Sequence, residues 1–185
     1  MRKLLMLLAV GSIALGGCSG GDAVDTQDTE SADEALVNFN TFEEHNLEVV
    51  NSYRKTKGIA PLVLSSKLCK FALAGSKELE ADHVPHEHFI NAVNDGSIWD
   101  DGFKTLAGEN QGDPNGWPEL IQGDPNANEI AQIDAIQKMM FDEGPGSGEA
   151  HGHYENMMNP KFHRLGAGLL RAAGGKLYLT NDFSD

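Results

Sequence analysis

Five of the seven histidines fall in two groups, His83/His86/His88 and His151/His153, and the carboxylates nearest them are Glu87, Glu109, Asp142, Glu143 and Glu149. Neutral imidazole with carboxylate is a normal ligand set for zinc and related divalent ions. Three protein ligands plus a water make such a site open to chemistry. Other reactive signatures are missing. There is no His-Glu-x-x-His helix, the primary mark of a zinc peptidase, and no Gly-x-Ser-x-Gly elbow to present a serine nucleophile. Cys69 sits among Leu68, Phe71 and Ala72. It reads as a buried structural thiol, because a reactive one needs an electropositive setting.

The elements that must position these groups are legible in outline. Thr41 and Glu44 form a capping-box pattern at the start of a helix running to about Lys57, where Gly58 stops it. Ser65 or Ser66 caps a second helix, in which Leu68, Ala72, Gly75 and Leu79 recur at helical spacing up to about Asp82. The histidines at 83, 86 and 88 then lie in the segment leaving that helix. Gln111-Gly-Asp-Pro-Asn115 recurs as Gln122-Gly-Asp-Pro-Asn126, turn chemistry that predicts a looped insertion. A third helix follows through Ile130, Ile133 and Met140 to Asp142-Glu143, and a glycine-rich link leads to His151 and His153. The runs 165–171 and 176–182, separated by Ala-Ala-Gly-Gly, predict a terminal hairpin. Helices first and strands last point to an α+β domain.

The N-terminus has a different character. Arg2-Lys3 precedes an apolar run from Leu4 to Leu15, too short to span a bilayer, and Leu15-Gly-Gly-Cys18 matches a lipobox. The expectation is a signal peptide over residues 1–17, lipidation at Cys18 with palmitate-type acyl chains, and an acidic tether over residues 18–40. The tether carries Asp22, Asp25, Asp28, Glu30, Asp33 and Glu34 and no basic residue. Residues 41–185 then form one domain. The acyl chains would anchor the protein to a membrane of the bacterial cell envelope with its domain outside the cytoplasm. Ser19 favours the outer membrane where there are two. The formal charge of −14 becomes −16 once Arg2 and Lys3 are removed. That surface repels nucleic acid and anionic lipid and attracts cations.

The order of these signals resembles the CAP superfamily, the SCP-like or cysteine-rich secretory, antigen 5 and pathogenesis-related-1 proteins. The matching pieces are Glu44-His-Asn with Val50, Asn51, Tyr53 and Arg54; Pro61-Leu62; Gly108-Glu-Asn110; Gly152-His-Tyr154; Asn156-Met-Met-Asn-Pro160 with Phe162; Gly166-Ala-Gly168; and a closing strand to Asp182-Phe183. The resemblance implies an α-β-α sandwich with a central antiparallel sheet flanked by helices. It also implies a cleft lined by two histidines and two acids that holds a divalent metal, often zinc, in several members. Carried over by position, the metal residues are His88, Glu109, Glu143 and His153, with His86 and Asp142 as alternates. His151 falls outside the matching position and would support the site. The disulfides of eukaryotic members are absent. The resulting expectation is a monomeric, lipid-anchored binding protein for a divalent cation and an unidentified small-molecule, lipid or protein ligand. The alternatives are a metal-assisted peptidase or esterase in the same cleft, and a structural or adhesive envelope protein whose cleft is empty.

Overall fold

The computed structural model describes residues 40–113, 125–173 and 175–185. The expected signal peptide, Cys18 and the expected tether up to residue 39 lie outside the described residues, as do residues 114–124 of the repeated Gly-Asp-Pro-Asn stretch. Gln111 and Gly112, expected in that loop, belong instead to a strand.

In chain order the elements are α1 (Thr41–Thr56), β1 (Val63–Leu64), α2 (Ser66–Asp82), α3 (Glu87–Asp95), a 3-10 turn (Ser97–Asp101), β2 (Ala107–Gly112), α4 (Pro125–Asp142), a second 3-10 turn (Glu149–His151), α5 (Gly152–Met157), β3 (Arg164–Arg171) and β4 (Leu177–Ser184). The capping box of α1 begins one residue earlier than expected. Asn40 accepts from the Phe42 and Glu43 amides, and Glu43 reaches back to the Asn40 amide. An extended asparagine whose side chain mimics a turn carbonyl outcompetes the threonine that follows it. Ser65 caps α2, and Leu177–Ser184 pairs antiparallel with Arg164–Arg171 as the terminal hairpin.

The sheet runs β1-β3-β4-β2. Its three long strands are antiparallel, and the two-residue β1 adds to β3 in parallel. Because side chains alternate along a strand, the register sorts them into two faces. Gly166 and Gly168 on β3, Thr180 and Asp182 on β4, and Glu109 and Gln111 on β2 share one face. The helix α2 lies against it. A Cβ on Gly166 would fall 2.3 Å from the Leu68 carbonyl carbon and one on Gly168 would fall 2.1 Å from that of Ala72, so the helix backbone rests directly on the strand. The opposite face carries Leu165, Ala167, Leu177, Leu179 and Phe183, which form the main core with Val50 of α1, Ile133, Ile136 and Met140 of α4, and Met157 of α5. A second cluster (Leu68, Phe71, Phe89, Ala92, Ile98 and Phe103) glues α3 and the first 3-10 turn onto α2. The result is an α+β domain, as the order of elements predicts, in the α-β-α sandwich that the family resemblance implies.

Two polar devices stand in for disulfides. Arg54 is wholly buried and donates to the carbonyls of Ala60, Met157, Asn159 and Phe162, tying α1 to the chain on both sides of Pro160. Just before β1, the Asn51 side chain accepts from the Leu62 amide and donates to the Leu62 carbonyl, at 2.8 and 3.0 Å. Among the described residues no helix is long and apolar enough to cross a membrane.

Candidate functional site

β2 is an edge strand, and around its Gly108-Glu109-Asn110 segment the chain gathers two histidine–carboxylate pairs. The first comes from the turn between α2 and α3. His83 ends α2 in the left-handed region (φ 58°) and His86 begins α3 in the same region (φ 65°). Such a backbone costs a non-glycine residue on the order of 1 kcal/mol and persists only where its surroundings over-determine it. Here they do. The His86 amide donates to Gln111 Oε1 at 2.6 Å, and His86 Nδ1 meets Glu109 Oε1 at 2.8 Å, both buried. α2 approaches closely enough at Gly75 that a Cβ there would stand 3.3 Å from Gln111 Nε2 and 3.5 Å from Glu109 Oε2.

The second pair is built where α4 hands over to α5. Glu143 stands just beyond the end of α4, and its Oε1 meets His153 Nδ1 at 2.5 Å. Its Oε2 accepts from the amides of His153 and Tyr154, so one carboxylate both caps the first turn of α5 and orients the imidazole. His151 braces the link: its Nδ1 faces the carbonyls of Glu143 and Gly144, and its ring occupies the space over Gly146.

The alternates separate cleanly by contact. His88 Nδ1 turns to Glu78 at 2.9 Å and its ring lies against Phe71, while Asp142 pairs with Lys138 one turn back on α4. His86 and Glu143 are the members that meet Glu109 and His153. The left-handed turn at His83 and His86 decides this, and counting helical positions from Leu68 does not reveal it.

A neutral imidazole that donates from Nδ1 to the carboxylate it faces keeps a lone pair on Nε2. His153 Nε2 and Glu109 Oε2 are buried and have no hydrogen-bond partner among the described residues. Asp182, across the strand from Glu109, is wholly buried and both its oxygens are likewise unpartnered. Burial, reinforced by the charge of Glu109, pushes its carboxyl well above the usual range. Sequence reasoning named Asp182 only as the end of the closing strand and Gln111 only in the repeated turn stretch, and read neither as a site residue. Gln111 stands two residues along β2 from Glu109, and Asp182 is the ladder partner of Glu109 on β4, a pairing that spacing does not show. Among the described residues no group of three or more histidine, cysteine, aspartate or glutamate side chains is gathered tightly enough to hold a metal ion. The arrangement therefore offers single unpartnered donor atoms and no assembled ligand set.

No curated protein matches the chain at the sequence level. Solved structures do match in fold. An extracellular protein containing an SCP domain from Bacillus anthracis is 19% identical with a TM-score of 0.47, and the match covers 90% of this chain and 45% of that one. The chain spans less than half of each of the first three solved proteins it matches, 45%, 38% and 43% of their lengths. An outer surface protein from Borrelia burgdorferi is 14% identical with a TM-score of 0.55, covering 80% of this chain and 94% of that one. NaASP2, solved with Zn²⁺, is 13% identical with a TM-score of 0.50, covering 78% of this chain and 80% of that one. At these identities the likeness is one of fold. The family model for cysteine-rich secretory proteins matches residues 47–183, nearly the whole described domain, and the chain belongs to that family, the CAP family.

Proposed function

We propose that this CAP protein is exported, anchored by lipid at Cys18 through the acidic tether of residues 18–40, and uses the cleft at β2 to bind a divalent cation, zinc foremost. Glu109 Oε2 and His153 Nε2 would meet the ion, with His86 and Glu143 holding those two side chains from behind. Beside it, or through it, the cleft would take an unidentified ligand. One observation carries the reading: His153 Nε2 and Glu109 Oε2 are buried and unpartnered, while the other polar atom of each side chain is fixed in a histidine–carboxylate contact. Burying a lone pair and a carboxylate oxygen without partners costs free energy that a bound cation would recover. The carboxylate behind each ring is the arrangement that fixes the tautomer and raises the basicity of a metal-binding histidine. Zn²⁺ in the structure of NaASP2 supports the choice of metal. The net charge of −14 supports a cationic ligand in general.

The test is stability against metal. Protein purified without a histidine tag and stripped with chelator is melted with and without Zn²⁺. At a hundredfold excess over Kd the gain is about 2.7 kcal/mol, and His153→Ala and Glu109→Ala lose it. A wild-type melt that does not move with Zn²⁺ removes the metal from the reading.

A further inference from the structure

The two histidine–carboxylate pairs belong to different parts of the chain, one joined to β2 and the other to α5, so something must set their relative position. Asn156 makes that connection. It lies three residues after His153, on the same side of α5. Its Nδ2 donates to the Glu109 carbonyl at 3.1 Å and to Asn110 Oδ1 at 2.9 Å, using both amide protons. Asn110, wholly buried, returns a bond from its Nδ2 to the His153 carbonyl at 3.0 Å. Gly108 makes room: a Cβ there would stand 2.8 Å from Asn156 Oδ1 and 3.0 Å from Phe162 Cζ. Three consecutive residues of β2 thus serve one side chain, Gly108 by its missing Cβ, Glu109 by its carbonyl and Asn110 by its amide.

We propose that Asn156 is a positioning residue of the cleft: docked on Gly108-Glu109-Asn110, it locks α5 to the free edge of β2 and fixes His153 relative to Glu109. Asn156 itself touches no bound group. It acts through the backbone of both cleft elements, and its consequence for cation affinity rests on the reading proposed above. Supporting residues of this kind typically change metal affinity by about 10- to 100-fold.

Two variants attack the same contact from opposite sides. Asn156→Asp keeps the shape and turns the two donated bonds into repulsion between acceptors. Gly108→Ala pushes the amide aside from the strand. Asn51→Ala is the control, because it removes an equally well-bonded asparagine that serves β1. The full chain is titrated with Zn²⁺ alone by calorimetry, and the His153 imidazole nitrogens are followed by long-range proton–nitrogen NMR. Both cleft variants are expected to weaken Zn²⁺ binding about 10- to 100-fold and to shift the His153 resonances, while the control leaves both unchanged at a similar loss of Tm. Cleft variants that behave like Asn51→Ala overturn the proposal. If wild-type protein takes up no Zn²⁺, the metal reading fails and the imidazole resonances decide alone: unmoved signals in folded Asn156→Asp or Gly108→Ala end the positioning role.

Discussion

Asp182 faces Glu109 across the β4–β2 ladder, and the two carboxyl groups leave three buried oxygen atoms without a hydrogen-bond partner among the described residues. Two adjacent carboxylates in a dry interior cannot both stay charged, and it is the wholly buried Asp182 whose proton affinity rises, from burial first and from Glu109 second. The native state therefore holds a proton that the unfolded chain has already released above about pH 4. Stability falls as pH rises from there through the raised folded value, by about 1.4 kcal/mol per pH unit while the two states differ by one proton. Asp182→Asn removes this slope, and its amide can donate to Glu109. Urea midpoints of wild type and variant, taken from pH 5 to pH 8, should diverge with the variant increasingly ahead. Parallel curves would contradict a protonated Asp182.

Arg54 is a second buried ionisable group, and burial lowers the proton affinity of its guanidinium. Three of its four backbone acceptors, Met157, Asn159 and Phe162, flank the turn at Pro160 that delivers the chain into β3, and the fourth, Ala60, lies between α1 and β1. Lysine cannot reproduce the planar fork that meets several carbonyls at once. Arg54→Lys should cost about 2–4 kcal/mol through carbonyls left buried and unpaired. Chemical denaturation reads this directly, and a loss under about 1 kcal/mol would mean that the carbonyls find other partners.

At Gly168 a methyl group would meet helix backbone and no movable side chain. Gly168→Ala should cost about 3 kcal/mol or more, at the upper end of overpacking effects, because α2 has to lift from the sheet. Gly58→Ala is the comparison. Its Cβ would meet nothing, so the strain comes only from a φ of +68°. Thermal melts that rank Gly58→Ala as the worse variant would refute the close approach.

Glu143 has two tasks, and substitution can separate them. Glu143→Gln can still accept from the His153 and Tyr154 amides through its carbonyl oxygen, but loses the charge behind the imidazole. A stability loss of about 0.5–2 kcal/mol, the range of helix caps, is expected for Glu143→Ala and less for Glu143→Gln. Both should weaken Zn²⁺ binding. Equal stability of the two variants would show that the cap contributes nothing.

How much of this was legible depended on whether a signal was local. The terminal hairpin follows from two strand-like runs on either side of Ala-Ala-Gly-Gly, whereas the close packing at Gly166 and Gly168 shows only once α2 is in place. α3 was missed because its N-cap is His86 in a left-handed conformation, without the serine or aspartate that normally announces a helix start. β1 has two residues, too few for any period. β2 reads as polar because its buried side chains Glu109, Asn110 and Gln111 meet polar partners on both faces of the sheet. Hydrophobic periodicity cannot see such a strand. The family resemblance named Glu109, Glu143 and His153, and favoured His88, which instead turns to Glu78, over His86. Which histidine meets Glu109 was settled by backbone torsions that spacing does not encode.

The asparagine clamps at the two ends of the sheet order have a consequence for crowding. Asn51 occupies both main-chain groups of Leu62 beside β1, and Asn156 occupies the outward carbonyl of Glu109 on β2. An exposed strand edge is a template on which a second molecule can add. Here each margin has a main-chain group on it or next to it already taken by a side chain from the same chain. Where copies crowd together, strand-to-strand addition that used these groups would have to displace an asparagine first.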